Sequence, residues 1–280
     1  MRCTPPLNGL LDFAVDLATK AGSLTLRYFQ SARLRIDYKA DATPVTDADR
    51  AAESFIRERL AEAYPDHAIM GEEFGERPGH PGNSATPRFR WIIDPIDGTK
   101  SFVRGVPLYG VLIGLEVDGV SALGVIHFPA LNETVAAARG CGCRFNGTTC
   151  HVSQTDRLAD ATLLSSALFS LGDNGPGGGG AAGAGDADPG YDKLLRSVKH
   201  FRTWGDCYGY ALVATGRADL MLDPKLAAWD CAPMLPILAE AGGRFTDLRG
   251  EATIHGQSGL ASNGKLHDEV LALLKSGPTT

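Results

Sequence analysis

The stretch WIIDPIDGTKSF, residues 91–102, sets Asp94 and Asp97 behind an apolar run and directly ahead of Gly98 and Thr99. Ile92 and Ile93 place Asp94 at the end of a buried strand, Pro95 removes a ladder donor and is expected to stop the strand, and Asp-Gly-Thr can turn the chain into a helix. Both carboxylates then meet beyond the strand tip. Adjacent anions raise each other's pKa, so keeping both ionised beside an apolar strand calls for a cation, and a divalent metal suits best. Taken alone, D-x-x-D reads as a turn and a cap. Two further sites change that reading: Glu72 and Glu73 in GEEFG follow a short apolar run, and Asp230 in AAWDCAPMLPILAEAGG stands where a helix begins. Three carboxylate sites at element ends predict one oxygen cage for Mg²⁺, a hard ion that takes oxygens at about 2.1 Å. Backbone N–H groups opening a helix at Gly98 and Thr99 would receive a phosphate, and the Thr99 hydroxyl would orient a water. Metals beside such a terminus describe phosphoryl transfer.

These groups need elements to hold them. Leu10, Ala14, Leu17, Ala21, Leu24 and Tyr28 recur at three- and four-residue steps, which predicts an amphipathic helix over 10–28. A second helix is predicted from Thr46, a capping residue, with Asp47 and Asp49 suited to its N-terminal dipole, Phe55, Ile56 and Leu60 as its buried stripe, and Pro65 as its end. HAIMGEEFGE reads as a strand running into paired carboxylates, 77–87 as a polar loop, and RFRWIID as the next strand. From 109 to 147, β-rich runs alternate with Gly and Asp-Gly turns, the pattern of an antiparallel meander. Residues 1–152 therefore read as an α+β half. Residues 153–280 alternate strands and helices, an α/β half. Within it, the Gly-rich run 172–190 lacks the apolar surface to offset its ordering entropy and is expected to be a mobile loop, an insertion with no chemistry of its own.

Composition narrows the class. With 280 residues and 44% hydrophobic content the chain can build a sizeable core, and a net charge of −6 gives no nucleic-acid footprint. No run of about 18 apolar residues occurs, and the first residues lack a signal peptide's core, so a cytoplasmic protein is expected, with no membrane partner. Six thinly spread cysteines are expected to be reduced. Cys141, Cys143, Cys150 and His151 invite a zinc reading, but C-x-C is too short and Cys150-His151 too close for one tetrahedral ion.

In order and spacing, GEEFG, WIIDPIDGTKSFVRGVPLYGVLIGLE and WDCAPMLPILAEAGG resemble the motifs of the inositol monophosphatase family, Mg²⁺-dependent and lithium-sensitive phosphatases. The resemblance covers nearly the whole chain and implies a layered α-β-α-β-α sandwich, usually homodimeric, using two or three Mg²⁺ ions. Carried over by motif position, Glu72, Asp94, the Ile96 carbonyl and Thr99 look like the first metal's ligands, and Asp94, Asp97 and Asp230 like the second's. Glu72 and Thr99 would position the attacking water, Gly98 and Thr99 would hold phosphate, and Asp47 matches the aspartate that assists the water. Lys39 either matches the family lysine just upstream or is a solvated charge. Glu73 is expected to support Glu72 rather than bind metal.

Thr-Lys-Ser-Phe and RTWGDCYGYALVATGRADLML look most like the branch that acts on histidinol phosphate. The substrate side would comprise Asp97, Gly98, Thr99, Arg202, Gly205, Asp206 and Asp230. Asp206 would accept from the substrate's ammonium or imidazole, or alternatively cap the helix that follows, while Trp204 and Tyr208 could cover the ring. Arg202 would pair with a carboxylate of its own or a partner chain. No nucleophile motif accompanies the site, so direct in-line attack of water on phosphorus is expected. The rival readings are an inositol- or sugar-phosphate phosphatase on the same fold and a catalytically silent metal- and phosphate-binding regulator. The Gly-rich run is longer than the family pattern and lies in the half that shapes specificity.

Overall fold

Pro5 opens the first helix, where a missing N–H is harmless, so α1 (Pro5–Thr25) begins before the apolar period alone indicates. The computed structural model describes residues 5–79, 88–166 and 189–275. Most of the 77–87 loop lies outside them, as does the Gly-rich run except Pro189 and Gly190, which already belong to a helix. A ribbon of β1 (Ile36–Tyr38) and β2 (Pro44–Thr46) leads into α2 (Asp47–Ala63). Thr46 caps α2 as expected, and the Asp49 carboxylate returns to the Thr46 N–H at 2.8 Å, completing a capping box. The buried stripe runs through Ala48, Asp49, Ala52, Glu53, Ile56 and Leu60, so it carries two carboxylates into the interior, and Phe55 is only partly buried.

The meander forms as its turn signals predict. An eight-stranded sheet contains β3 (Ala68–Gly71), β4 (Gly75–Arg77), β5 (Phe89–Asp97), β6 (Gly110–Val117), β7 (Val120–Phe128), β8 (Glu133–Ala138), β9 (Cys143–Phe145) and β10 (Thr148–Thr149). Its order is β10-β9-β8-β7-β6-β5-β3-β4, and only β3 and β5 run parallel. Pro95 does not stop the strand. Asp94 pairs with Leu112 and Asp97 with Gly110, so β5 takes one residue more than β6 across this interval, a bulge. In a regular strand, residues three apart face opposite sides; the extra residue returns Asp94 and Asp97 to a common side.

After the short helix α3 (Thr99–Val103), the second sheet is built from β11 (Thr162–Leu164), β12 (His200–Arg202), β13 (Leu220–Asp223), β14 (Arg244–Thr246) and β15 (Gly259–Ser262), ordered β12-β11-β13-β15-β14. The helices of this half are α4 (Pro189–Ser197), α5 (Asp206–Ala214), α6 (Ala228–Cys231), α7 (Met234–Glu240) and α8 (His267–Lys275). Strand β12 follows α4 almost at once, and His200–Arg202 pair in parallel with Thr162–Leu164.

Three apolar clusters define the layers. Leu17 of α1 and Ile56 of α2 meet Trp91, Val111 and Val125 on one face of the large sheet. Ile92, Leu112 and Ile126, on the other face, meet Val213 of α5 and Ile237 of α7, which also touch Met221 and Ala261 of the second sheet. Leu194 of α4 and Val270 of α8 cover that sheet's outer face against Leu163 and Leu260. The order is α-β-α-β-α. No described helix is long and apolar enough to cross a membrane.

Cys141 is disulfide-bonded, so the expectation of six reduced cysteines fails there. Cys143, Cys150, Cys207 and Cys231 are free thiols. Among the described residues, Cys141, Cys143, Cys150 and His151 form no metal-ligating group.

Gly114 and Gly124 face each other across β6 and β7, and a Cβ on Gly114 would lie 2.6 Å from the Ala232 Cβ. A Cβ on Gly124 would run into the Pro233 carbonyl. The α6–α7 junction therefore rests directly on the sheet backbone. Gly124→Ala should lower the free energy of unfolding by about 1–3 kcal/mol in urea titrations, as overpacking does. Gly9→Ala, whose Cβ on α1 meets nothing within 4 Å, should leave stability unchanged or raise it.

Candidate active site

Asp94, Asp97 and Asp230 each offer a carboxylate oxygen, and these atoms lie within 4.8 Å of one another. The bulge of β5 supplies the first two and the first turn of α6 the third. Asp94 is buried, while Asp97 and Asp230 keep an open edge. A backbone donor aims each one: the Ile96 N–H reaches Asp94 at 3.0 Å, the Cys207 N–H reaches Asp97 at 2.5 Å, and the Ala227 N–H reaches Asp230 at 2.7 Å. Burial first, and then neighbouring carboxylates, push the pKa of Asp94 and Asp97 well above the carboxylate range. Asp230 is raised to about 7, mainly by burial.

This donor set fits a hard divalent cation. Its atoms are carboxylate oxygens, and only positive charge relieves their repulsion. The neighbouring thiols do not compete, because burial pushes Cys207 and Cys231 up and keeps them protonated.

Glu72 adjoins the trio, as its charge and hydrogen-bonding influence on Asp94 shows. Lys39 reaches in from the segment after β1, its ammonium 2.7 Å from Glu72 and 2.8 Å from Glu73. Hydrogen bonds to both acids hold the Lys39 pKa above its ordinary value although burial opposes the charge. Lys39 is thus no solvated charge. Glu73 has only 6% of its side chain exposed and sits behind Glu72 on the same ammonium.

What fixes this turn is a residue that sequence reasoning missed. Glu53, fully buried on α2, accepts from the N–H groups of Glu73 at 2.7 Å and Phe74 at 3.1 Å, and from Arg57 Nε at 2.7 Å. Gly71 allows this approach, since a Cβ there would collide with the Glu53 carboxylate. The signal was helical spacing: Glu53 falls one turn after Asp49 on the face that also buries Ile56 and Leu60.

Asp47, expected to assist the water, is not brought to this group. Its side chain is 43% exposed and lies 3.8 Å from Arg50. Asp49 is there instead: buried, hydrogen-bonded by Thr46 Oγ1, and 3.4 Å from the Thr99 hydroxyl. Thr99 Oγ1 also donates to the Ile96 carbonyl at 3.0 Å. Burial raises the Asp49 pKa to about 6. T-x-x-D, the capping-box pattern, was the signal that separates the two aspartates, because the third helical position turns inward to the cap.

The far side of the site comes from α5. Gly205 precedes the helix, and a Cβ on it would collide with Ser166. Asp206 is not a side-chain cap; it begins α5 with φ +51, a left-handed conformation unusual outside glycine. Its N–H is held by Ser166 Oγ at 2.9 Å and its carboxylate accepts from Ser101 Oγ at 3.3 Å. Gly98 has φ +81, and a Cβ there would sit 3.0 Å from the Asp206 carboxylate, so that carboxylate borders the Gly98–Thr99 turn. A strained backbone surrounded by fixed contacts is a mark of a functional position. Trp204 is 49% exposed beside it. Tyr208 is otherwise engaged, edge-on to Phe128 at 5.1 Å, and Arg202 donates to the neighbouring Phe201 carbonyl at 2.7 Å.

The inositol monophosphatase family model matches residues 7–278. The chain is 43% identical over 271 residues to a histidinol-phosphatase of Chlorobaculum parvum, covering 95% of this chain and 97% of that one. It is 42% identical over 273 residues to a histidinol-phosphatase of Mycobacterium tuberculosis, covering 95% and 98%. Among solved structures it is similar to the extragenic suppressor protein suhB of Bartonella henselae, with a TM-score of 0.84 and 30% identity over 96% of this chain and 100% of that one. The chain belongs to the inositol monophosphatase family, whose members are metal-dependent phosphatases.

Glu53→Gln keeps the shape of the side chain that holds the Glu72 turn but weakens its grip on two N–H groups and on Arg57. It should weaken Mg²⁺ binding about 10–100-fold in a calorimetric titration, the range seen when groups behind metal ligands are changed. Unaltered affinity would show that the turn holds itself.

Proposed function

We propose that this inositol monophosphatase family member hydrolyses L-histidinol phosphate to L-histidinol and phosphate, using two or three Mg²⁺ ions. The observation that carries the substrate reading is the Asp206 carboxylate beside Gly98, where a cationic group attached to the bound ester would find a partner. The two relatives named histidinol-phosphatase support it.

Glu72, Asp94, Asp97, Asp230 and the Ile96 carbonyl would hold the ions. Bound there, divalent cations supply charge that polarises phosphoryl oxygens, lowers the pKa of water and neutralises a leaving oxygen. The protein's part is positioning. The N–H groups of Gly98 and Thr99 take the phosphate oxygens as the chain turns into α3. Thr99 Oγ1, tethered to the Ile96 carbonyl and close to Asp49, accepts from the attacking water and sets its line on phosphorus. Asp49 Oδ1 is the proton's destination, and a pKa of about 6 suits it to take one near neutrality and return it. Lys39 and Glu53 keep Glu72 aimed at the same water. The departing alkoxide of histidinol is protonated from solvent at the open edge of Asp97 and Asp230. The family resemblance also supports a homodimer.

Asp94→Asn should abolish Mg²⁺-dependent phosphate release while the circular-dichroism spectrum stays native, since the lost charge serves the cation and not the core. Turnover should favour L-histidinol phosphate over myo-inositol 1-phosphate; the opposite order overturns the substrate. A hydrogen bond to a charged group contributes about 1.5–3 kcal/mol, so Asp206→Ala should lower kcat/KM for histidinol phosphate roughly 10–100-fold and for the inositol ester only slightly. Equal losses on both would reduce Asp206 to shaping the Gly98 turn.

A further inference from the structure

The hairpin of β9 and β10 carries a second reactive arrangement, remote in function from the carboxylates. Asn146 and Gly147, with φ +48 and +79, make the tight turn that joins the strands. The register it fixes pairs Phe145 with Thr148 and Arg144 with Thr149, and one step further it opposes Cys143 to Cys150. Cys150 donates its N–H to the Cys143 carbonyl at 3.0 Å, and the two Sγ atoms lie 3.5 Å apart. Directly opposed residues of such a pair have Cα atoms about 5.5 Å apart, inside the span that a disulfide accepts.

The two thiols are unequal. Cys143 is fully buried, whereas Cys150 is partly open. The hydrogen bond between the two thiols and the positive charge of Arg217 lower the Cys150 pKa against the effect of burial, while the same hydrogen bond and burial push Cys143 up. Arg217 is fixed beside the hairpin, its guanidinium 4.8 Å from the centre of the Phe145 ring and 5.9 Å from that of Tyr208. One sulfur is placed to attack, and the other to finish the exchange from behind.

We propose that Cys150 and Cys143 form a thiol–disulfide exchange site for small soluble disulfides, with Cys150 as the attacking sulfur and Cys143 as the resolving one. The Cys150 thiolate attacks one sulfur of the small disulfide, the S–S bond breaks, and one small thiolate leaves and takes up a proton. Cys143 then gives up its proton and attacks the Cys150 sulfur, which breaks the mixed bond and releases the second small thiol. Two protein thiols and one disulfide become one protein disulfide and two thiols, and an excess of small thiol reverses both steps. The ring closed is short, so the bond adds less stability than one that closes a long loop. The proposal is independent of the phosphatase reading.

Trypsin cuts at Arg139, Arg144 and Arg157, so the cysteines fall in separate peptides, 140–144 and 145–157. The full-length protein is incubated with oxidised glutathione, alkylated, digested without reduction and examined by mass spectrometry. The two peptides should become linked, dithiothreitol should separate them, and the link should persist in Cys141→Ser, which excludes Cys141 as the bonded residue. Cys143→Ser should instead retain a stable glutathione adduct on Cys150, and Cys150→Ser should leave Cys143 unmodified. The proposal is overturned if wild-type Cys150 stays fully alkylatable, if it keeps a terminal adduct while Cys143 remains free, or if the link is lost in Cys141→Ser.

Discussion

Mutual repulsion among Asp94, Asp97 and Asp230 is the interaction that the rest of the molecule answers to. Three carboxylates within 4.8 Å would separate or protonate if their backbones were free to move. They stay because each is fixed by an N–H from rigid surroundings, and these donors belong to β5, α5 and the turn before α6. A neutral donor orients an anion without cancelling it. The charge therefore remains available to a cation, whereas an arginine in the same place would have consumed it. The Lys39 ammonium stands at the rim, paired with Glu72 and Glu73 rather than with the trio.

The layers explain how elements far apart in sequence deliver those donors. The large sheet is buried on both faces by helices, so β5 can end deep in the molecule with Asp94 and Asp97 at its bulged end. The helices between the sheets belong to both halves of the structure at once. Helix α5 touches the first sheet through Cys207 and sets Asp206 beside Gly98, and the α6–α7 pair brings Asp230 to Asp94 and Asp97. On the proposed reading, reaction and selectivity are thereby divided: the bulged strand would hold the groups that act on phosphorus, and the start of α5 the group that meets the rest of the ester.

Much of this was legible in the residues. The meander announced itself through Asp-Gly turns, α2 through its capping threonine, and the carboxylate cage through three motifs at element ends. What escaped has identifiable physical reasons. A bulge is one extra residue, invisible to an alternating pattern, so Pro95 read as a stop instead of a bend. Asp47 and Asp49 both suit a helix start, and only the reciprocal bond to Thr46 shows which one turns inward. Glu53 gave no signal of its own because buried carboxylates are rare unless paired, and its partners, two backbone N–H groups and Arg57, come together only in three dimensions. Strand β12 was too short to carry a period of its own.

The facing glycines of β6 and β7 set a length as well as a fit. Because neither carries a side chain, the Ala232–Pro233 junction lies against bare backbone, and Asp230, just before it, is drawn toward the strand that holds Asp94. Mg²⁺ takes oxygens at about 2.0–2.1 Å and Ca²⁺ at about 2.3–2.6 Å, so a cage distinguishes the two ions by a few tenths of an ångström. A single methyl group between sheet and junction is several times larger than that margin. On the Mg²⁺ reading proposed above, two residues that bind nothing would thus act as a gauge of ionic radius, with selection between the common divalent cations written partly into the absence of side chains.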